Sequence, residues 1–326
     1  MAFRSQRGYN SQYPLKSNQE KYSITLNFAS ESGDGVIGVF SGHGENGQQC
    51  ANFSQRVLPQ QLAKFGAWNP NAWPLLNTNE FEQCCRRAFN GTNKMSHEEN
   101  EVDDELSGTS AAIVCFHGGR MTVCNVGDCR EQRYRPEGEV FAIPMTKDHT
   151  LLCQEELERI KKAGAEVELI NQIEDTDLAF NSLNGVSSVE REESPLLLQI
   201  PGKPYTGTKF TRSIGNSMIE GIGVSSDPEV LSCDLSTNDD MLIIASNGVF
   251  EFLTNQEVID ICSASCNPLQ ASEDVTKAAY NKSIEHKNHC TDLTIIVCFL
   301  SSAYQPSYPE DIAVSTHSLA GMDTGR

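Results

Sequence analysis

The feature that most constrains this chain is a set of apolar, strand-length runs whose ends carry short clusters of Gly, Asn, Asp and Ser. Met241–Ala245 and residues 293–300 are continuously apolar, as strands buried on both faces are. Residues 36–40, 111–116 and Arg120–Val126 read as further strands, the last two joined by the hairpin signal His117-Gly118-Gly119. A second hairpin is predicted from 131–135 to 140–143 through Pro136-Glu137-Gly138. The polar clusters are Ser41-Gly42-His43-Gly44, Gly127-Asp128-Cys129-Arg130, Ser246-Asn247-Gly248 and Thr291-Asp292. Polar residues at strand ends are placed to converge on one site. Taken singly, each cluster is also ordinary turn chemistry.

The rest of the pattern is helical. Residues 47–65 (despite Pro59) and 81–96 are helix candidates, and residues 154–163 carry Leu157, Ile160 and Ala163 before a stop at Gly164. Asn255 is placed to cap a helix bearing Val258, Ile259 and Cys262, and residues 275–284 form a weaker helical pattern. Strand clusters separated by helix pairs imply α+β layers rather than βαβ alternation. Residues 1–14 are polar and read as a flexible N-terminal arm, 15–300 as one domain, and 301–326 as a C-terminal tail that opens Pro- and Ser-rich. Within the domain, residues 168–207 are weakly periodic and read as a surface insertion.

Charge and composition narrow the function classes. A net charge of −19 over 326 residues argues against a broad basic face for nucleic acid. No apolar run approaches the ~20 residues of a membrane helix. The opening Met1-Ala2-Phe3-Arg4-Ser5 lacks the apolar core of a signal peptide. No nucleic-acid or membrane partner is therefore expected, and a cytoplasmic or nuclear location is. The 12 cysteines include no C-x-x-C pair, and Cys115, Cys124 and Cys298 fall inside strand runs. That usage fits buried, reduced thiols rather than a zinc site.

The order of the clusters is more informative than any one of them. Val39-Phe40-Ser41-Gly42-His43-Gly44, Ser107-Gly108-Thr109-Ser110-Ala111, Asn125-Val126-Gly127-Asp128-Cys129-Arg130, Met145-Thr146-Lys147-Asp148-His149, Thr211-Arg212-Ser213-Ile214-Gly215-Asn216, Ala245-Ser246-Asn247-Gly248-Val249-Phe250-Glu251 and Thr291-Asp292-Leu293-Thr294 follow one another along residues 15–300. This succession resembles the PP2C family of metal-dependent protein serine/threonine phosphatases. The resemblance implies a four-layer α-β-β-α sandwich, two antiparallel sheets flanked by helices, with the site at one end. In active members two Mg²⁺ or Mn²⁺ ions bridged by a water hydrolyse phosphoserine and phosphothreonine. Two neighbouring dications repel, so several carboxylates must offset the repulsion, and hard cations want oxygen ligands.

At the positions the resemblance assigns to metal, most of those carboxylates are gone. The family's acidic pair looks like Gln19-Glu20, its bridging Asp is Ser41, and the Asp residues of the S-D-G and D-N motifs are Asn247 and Thr291. Glu20 and the Gly42 carbonyl remain. Asn, Gln, Ser and Thr offer oxygen without compensating charge. The resemblance thus implies a degenerate metal site, with no dinuclear cofactor and a regulatory pseudophosphatase that binds a protein partner or a phosphoprotein. Asp128 and Glu251 match positions holding an additional, weaker metal in some members, so a single residual Mg²⁺ or Mn²⁺ stays open. So does the alternative of an active phosphatase with a rearranged acid. Asp292 is expected to point away, as alternate residues on a strand do. His43 occupies the place of a candidate general acid, with a structural turn residue as the competing reading. Arg130 and Arg212 match motif arginines that either touch substrate or hold the fold.

Overall fold

The computed structural model describes residues 1–11, 13–26, 34–67, 78–117, 119–137, 139–169, 196–199, 208–236 and 238–300. Strands β1 (Ala2–Gln6), β2 (Glu20–Leu26), β3 (Gly35–His43), β4 (Gly108–His117), β5 (Arg120–Val126), β6 (Arg130–Glu137), β7 (Glu139–Pro144), β8 (Glu166–Leu169), β9 (Leu196–Gln199), β10 (Ile214–Gly215), β11 (Glu229–Asp234), β12 (Met241–Ala245) and β13 (Leu293–Phe299) follow in chain order. The helices are α1 (Gly47–Leu62, run on by a π-helical turn at Ala63–Ala67), α2 (Thr78–Glu98), α3 (Gln154–Lys162), α4 (Ser217–Glu220), α5 (Asn247–Phe250), α6 (Asn255–Ala264) and α7 (Pro268–Lys287).

Two antiparallel sheets carry the architecture. One runs β1-β13-β12-β6-β7, and the other β11-β5-β4-β3-β2 with β10 paired to β4. Period-two alternation builds three apolar layers from them. Ile37, Val39, Ala112, Val114 and Val123 meet Leu242, Ile244 and Ile296 between the sheets. On the outer faces, Val36, Phe40 and Ile113 pack on Leu58 and Phe89 of α1 and α2, while Ile243, Ile295 and Val297 pack on Val258 of α6 and Val275 of α7. The expected α+β four-layer sandwich is the observed fold.

Local departures have physical causes. The arm expected over 1–14 instead begins with an edge strand, because β1 pairs with β13 in the register Phe3↔Ile296, and Tyr9 bridges Cys290. Its one large apolar residue, Phe3, packs into the inter-sheet layer, too little to mark a strand in the sequence. The α6 cap is Thr254, which forms a reciprocal capping box with Glu257. Asn255 instead accepts a hydrogen bond from Gln132 at 2.7 Å. The weak 275–284 pattern is the middle of α7, whose start is fixed by Asn267 capping Gln270 N–H and by Pro268 in the first turn. At the borders of 168–207, Glu166–Leu169 and Leu196–Gln199 pair as a ribbon with Leu197 and Leu198 buried. Residues 170–195, 200–207 and 301–326 lie outside the described residues.

Candidate metal centre

One end of the sandwich gathers the start of β2, the ends of β3 and β5, the β12–α5 junction and the entry to β13. Glycine permits the crowding there. A Cβ on Gly42 would stand 2.2 Å from the Gly47 carbonyl oxygen, and one on Gly127 (φ +93°) 2.2 Å from Ser110 Oγ.

Glu20 sits at the centre of this end, 4% exposed. Its Oε1 accepts from the Ser41 hydroxyl at 3.4 Å, and its Oε2 has no hydrogen-bond partner among the described residues. Burial, with the nearby Asp292 charge, pushes its pKa up to about 8, and the hydroxyls of Thr294, Ser246 and Ser41 offset only part of the rise. Asp292 is near enough for its charge to act on Glu20, although the alternation argument expected it to aim elsewhere. β13 begins at Leu293, so Asp292 lies in the approach to the strand, where alternation does not apply. Its two carboxylate oxygens accept from Gly8 N–H (2.8 Å) and Gln19 N–H (2.9 Å).

The two remaining motif acids are both buried and both paired with lysine. Asp128, 3% exposed, accepts from Ser110 Oγ at 3.0 Å, and Lys209 Nζ stands 3.3 Å from its other oxygen. Glu251 is ion-paired with Lys287, each side chain 3% exposed, and accepts from the Thr291 hydroxyl at 3.4 Å. Sequence reasoning missed both lysines. They belong to no motif and lie far from their partners along the chain, so only the packing reveals them.

The neutral side chains at these positions act as donors. Ser41 donates to Glu20, Thr291 donates to Glu251, and Gln19 Nε2 donates to the Gly44 carbonyl at 2.8 Å. An ionised carboxylate, being an acceptor only, could make none of these bonds. Asn247 opens α5, and Gly248 next to it packs so closely that a Cβ there would lie 2.9 Å from Thr291 Oγ1.

His43 is set in a polar pocket of its own. Its Nε2 and Asn216 Oδ1 are 2.6 Å apart, so Nε2 carries the proton and donates. Nδ1 is buried without a hydrogen-bond partner among the described residues, and the ring lies 4.5 Å from that of Phe210. Burial lowers its pKa, which favours the neutral ring. The left-handed backbone of Asn216 (φ 59°) suits an Asn. Arg130 makes a two-pronged contact with Asp148 (2.7 and 2.6 Å), and Arg212 binds Glu156 at 2.7 Å. Both motif arginines are thus engaged by carboxylates of the scaffold. Asp34 precedes β3 at its far end, about 23 Å from Ser41 at the rise of an extended strand. Glu45 is exposed. Among the described residues, no group of three or more His, Cys, Asp and Glu side chains is arranged to hold a metal ion.

A layered sandwich with this ordered strand-end cluster defines a PP2C-type domain. The Protein phosphatase 2C family model matches residues 8–288, and the chain belongs to that family. A relative described as "Probable protein phosphatase 2C 35" from Arabidopsis thaliana is 34% identical over 295 residues, covering 90% of this chain and 81% of the relative. Another from that plant, "Probable protein phosphatase 2C 61", is 25% identical, covering 89% and 82%. Among solved structures, the serine-threonine phosphatase 2C from Toxoplasma gondii matches with a TM-score of 0.74 at 13% identity, over 91% of this chain and 93% of that one. A C. elegans sex determining protein matches with a TM-score of 0.67 at 14% identity, over 91% and 64%. At these identities the structural likeness concerns the fold. The family is normally Mg²⁺- or Mn²⁺-dependent and acts on phosphoproteins. No helix among the described residues is long and apolar enough to cross a membrane.

Proposed function

We propose that this chain is a PP2C domain without the family's hydrolytic chemistry, a pseudophosphatase that acts by binding a protein partner or a phosphoprotein. The observation that carries this reading is the state of the surviving acids. Asp128 and Glu251 are buried against Lys209 and Lys287, and Asp292 is tied to two backbone N–H groups. Gln19, Ser41, Asn247 and Thr291 supply no charge. Two dications a few ångström apart would find little anionic charge left to offset their repulsion. The donor set does not fit a dinuclear Mg²⁺ or Mn²⁺ centre.

One observation favours the competing reading of an active phosphatase. Asp292 lies near enough to Glu20 for its charge to act on it, as a rearranged acid would have to, with both its carboxylate oxygens held by backbone N–H groups. Hydrolysis decides between the two. With Mn²⁺ and a phosphothreonine peptide, phosphate release is expected at the level of the protein-free blank. Saturable release that disappears in Asp128→Ala would overturn the proposal.

A further inference from the structure

We infer that Lys209 and Lys287 are built-in counter-ions, whose ammonium groups balance the charge of the motif acids and so exclude metal by occupation as well as by loss of ligands. The inference deepens the inactive reading and rests on it. Lysine is almost never buried unless paired, because taking an ammonium out of water is expensive. Here Lys287 is 3% exposed and Lys209 12%, and each is paired with a carboxylate at a motif position.

The two cations reach the site from unrelated parts of the chain. Lys287 is the last residue of α7, four residues before Thr291. Lys209 lies just before Thr211-Arg212, the start of another motif. Each ammonium also stands over an aromatic ring, Lys209 at 5.3 Å from the Phe210 centroid and Lys287 at 5.0 Å from that of Phe252. A quadrupole on one side and a carboxylate on the other fix the position of each charge. An incoming divalent ion seeking the Asp128 and Glu251 oxygens would meet a like charge already placed against them.

Restoring the missing acids is therefore insufficient to restore metal affinity. Mn²⁺ binding, read by electron paramagnetic resonance, is compared in two proteins. One carries Gln19→Glu, Ser41→Asp, Asn247→Asp and Thr291→Asp, and the other carries the same changes with Lys209→Met and Lys287→Met. The expected result is Mn²⁺ affinity at least about a hundredfold higher in the lysine-free protein, on the order of tenfold per removed like charge. Equal affinity in the two would overturn the counter-ion role while leaving the inactive reading of the natural chain intact. Mn²⁺-dependent phosphopeptide hydrolysis by the natural chain would instead sink that reading. A measurement on the unaltered protein covers the case of variants that do not fold. In ¹⁵N-labelled protein, two lysine ammonium groups are expected to exchange their protons slowly and to keep their resonances under saturating Mg²⁺. Solvent-rate exchange at every lysine, or loss of the two slow signals on adding Mg²⁺, would refute the inference.

Discussion

Replacing Lys287 by Met removes one member of a pair whose two side chains are each 3% exposed. Methionine keeps most of the stem's volume, so the main change is electrostatic: Glu251 stays buried and loses its ion pair, keeping the Thr291 hydroxyl at 3.4 Å. Breaking a buried pair from one side costs about 3–5 kcal/mol, because an uncompensated charge remains in a poorly solvated place. That is a large part of the roughly 5–15 kcal/mol that holds a domain together. For a domain of this size it corresponds to a fall in Tm of roughly 6–20 °C. The assay is thermal and urea unfolding of Lys287→Met, Glu251→Gln and the double variant. Each single variant should be strongly destabilised. The double should lie within about 1.5 kcal/mol of the natural protein, since removing both charges removes the desolvation penalty with the attraction. A Lys287→Met protein within about 0.5 kcal/mol of the natural one would refute the buried pairing. Losses that simply add in the double would do the same.

Other sites give independent checks. Gln19→Glu restores the family's residue type but sets an acceptor against the Gly44 carbonyl, now 2.8 Å from Gln19 Nε2. It should lower stability by about 1–3 kcal/mol in a denaturant titration, and Mg²⁺ should not recover the loss. Glu156 is held well below the usual carboxylate range by Arg212, Arg159 and Thr211, against an opposing burial effect. Its stabilisation is present above the ordinary value near 4.5 and is lost as pH falls through and below it, so Glu156→Gln should flatten the acid limb of a Tm–pH curve. Hydrogen bonds donated to Asp104 and Glu220 push the His97 pKa up to about 10. Stability from that cation is full below about pH 6.5 and is lost as pH rises toward 10. The Tm of the natural protein should therefore fall more between pH 7 and pH 10 than that of His97→Gln.

Motifs that act through local backbone were legible in the sequence. The hairpin β4–β5 ends where it was expected, β12 spans the run Met241–Ala245, and Gly42 and Gly127 stand where chain segments touch. The strand-end clusters meet at one end of the sandwich because register in antiparallel sheets brings the end of β3 beside the start of β4 and the end of β5. What the sequence hid depends on contacts between distant segments. Strand β1 takes its order from the backbone of β13, the lysines gain meaning only beside Asp128 and Glu251, and Asp292, in the approach to β13, is fixed by the Gly8 and Gln19 N–H groups. The expected helix cap at Asn255 failed by one position, since two adjacent residues could serve and the Thr254–Glu257 box is reciprocal.

Calorimetric titration of the natural chain with Mn²⁺ tests the central claim most directly. With Asp128 and Glu251 taken up by lysines and neutral residues at the four positions the proposal assigns to metal ligands, the heats should match dilution into buffer, with no saturable isotherm. Saturable uptake of two ions per chain, abolished by Asp128→Ala, would contradict the account.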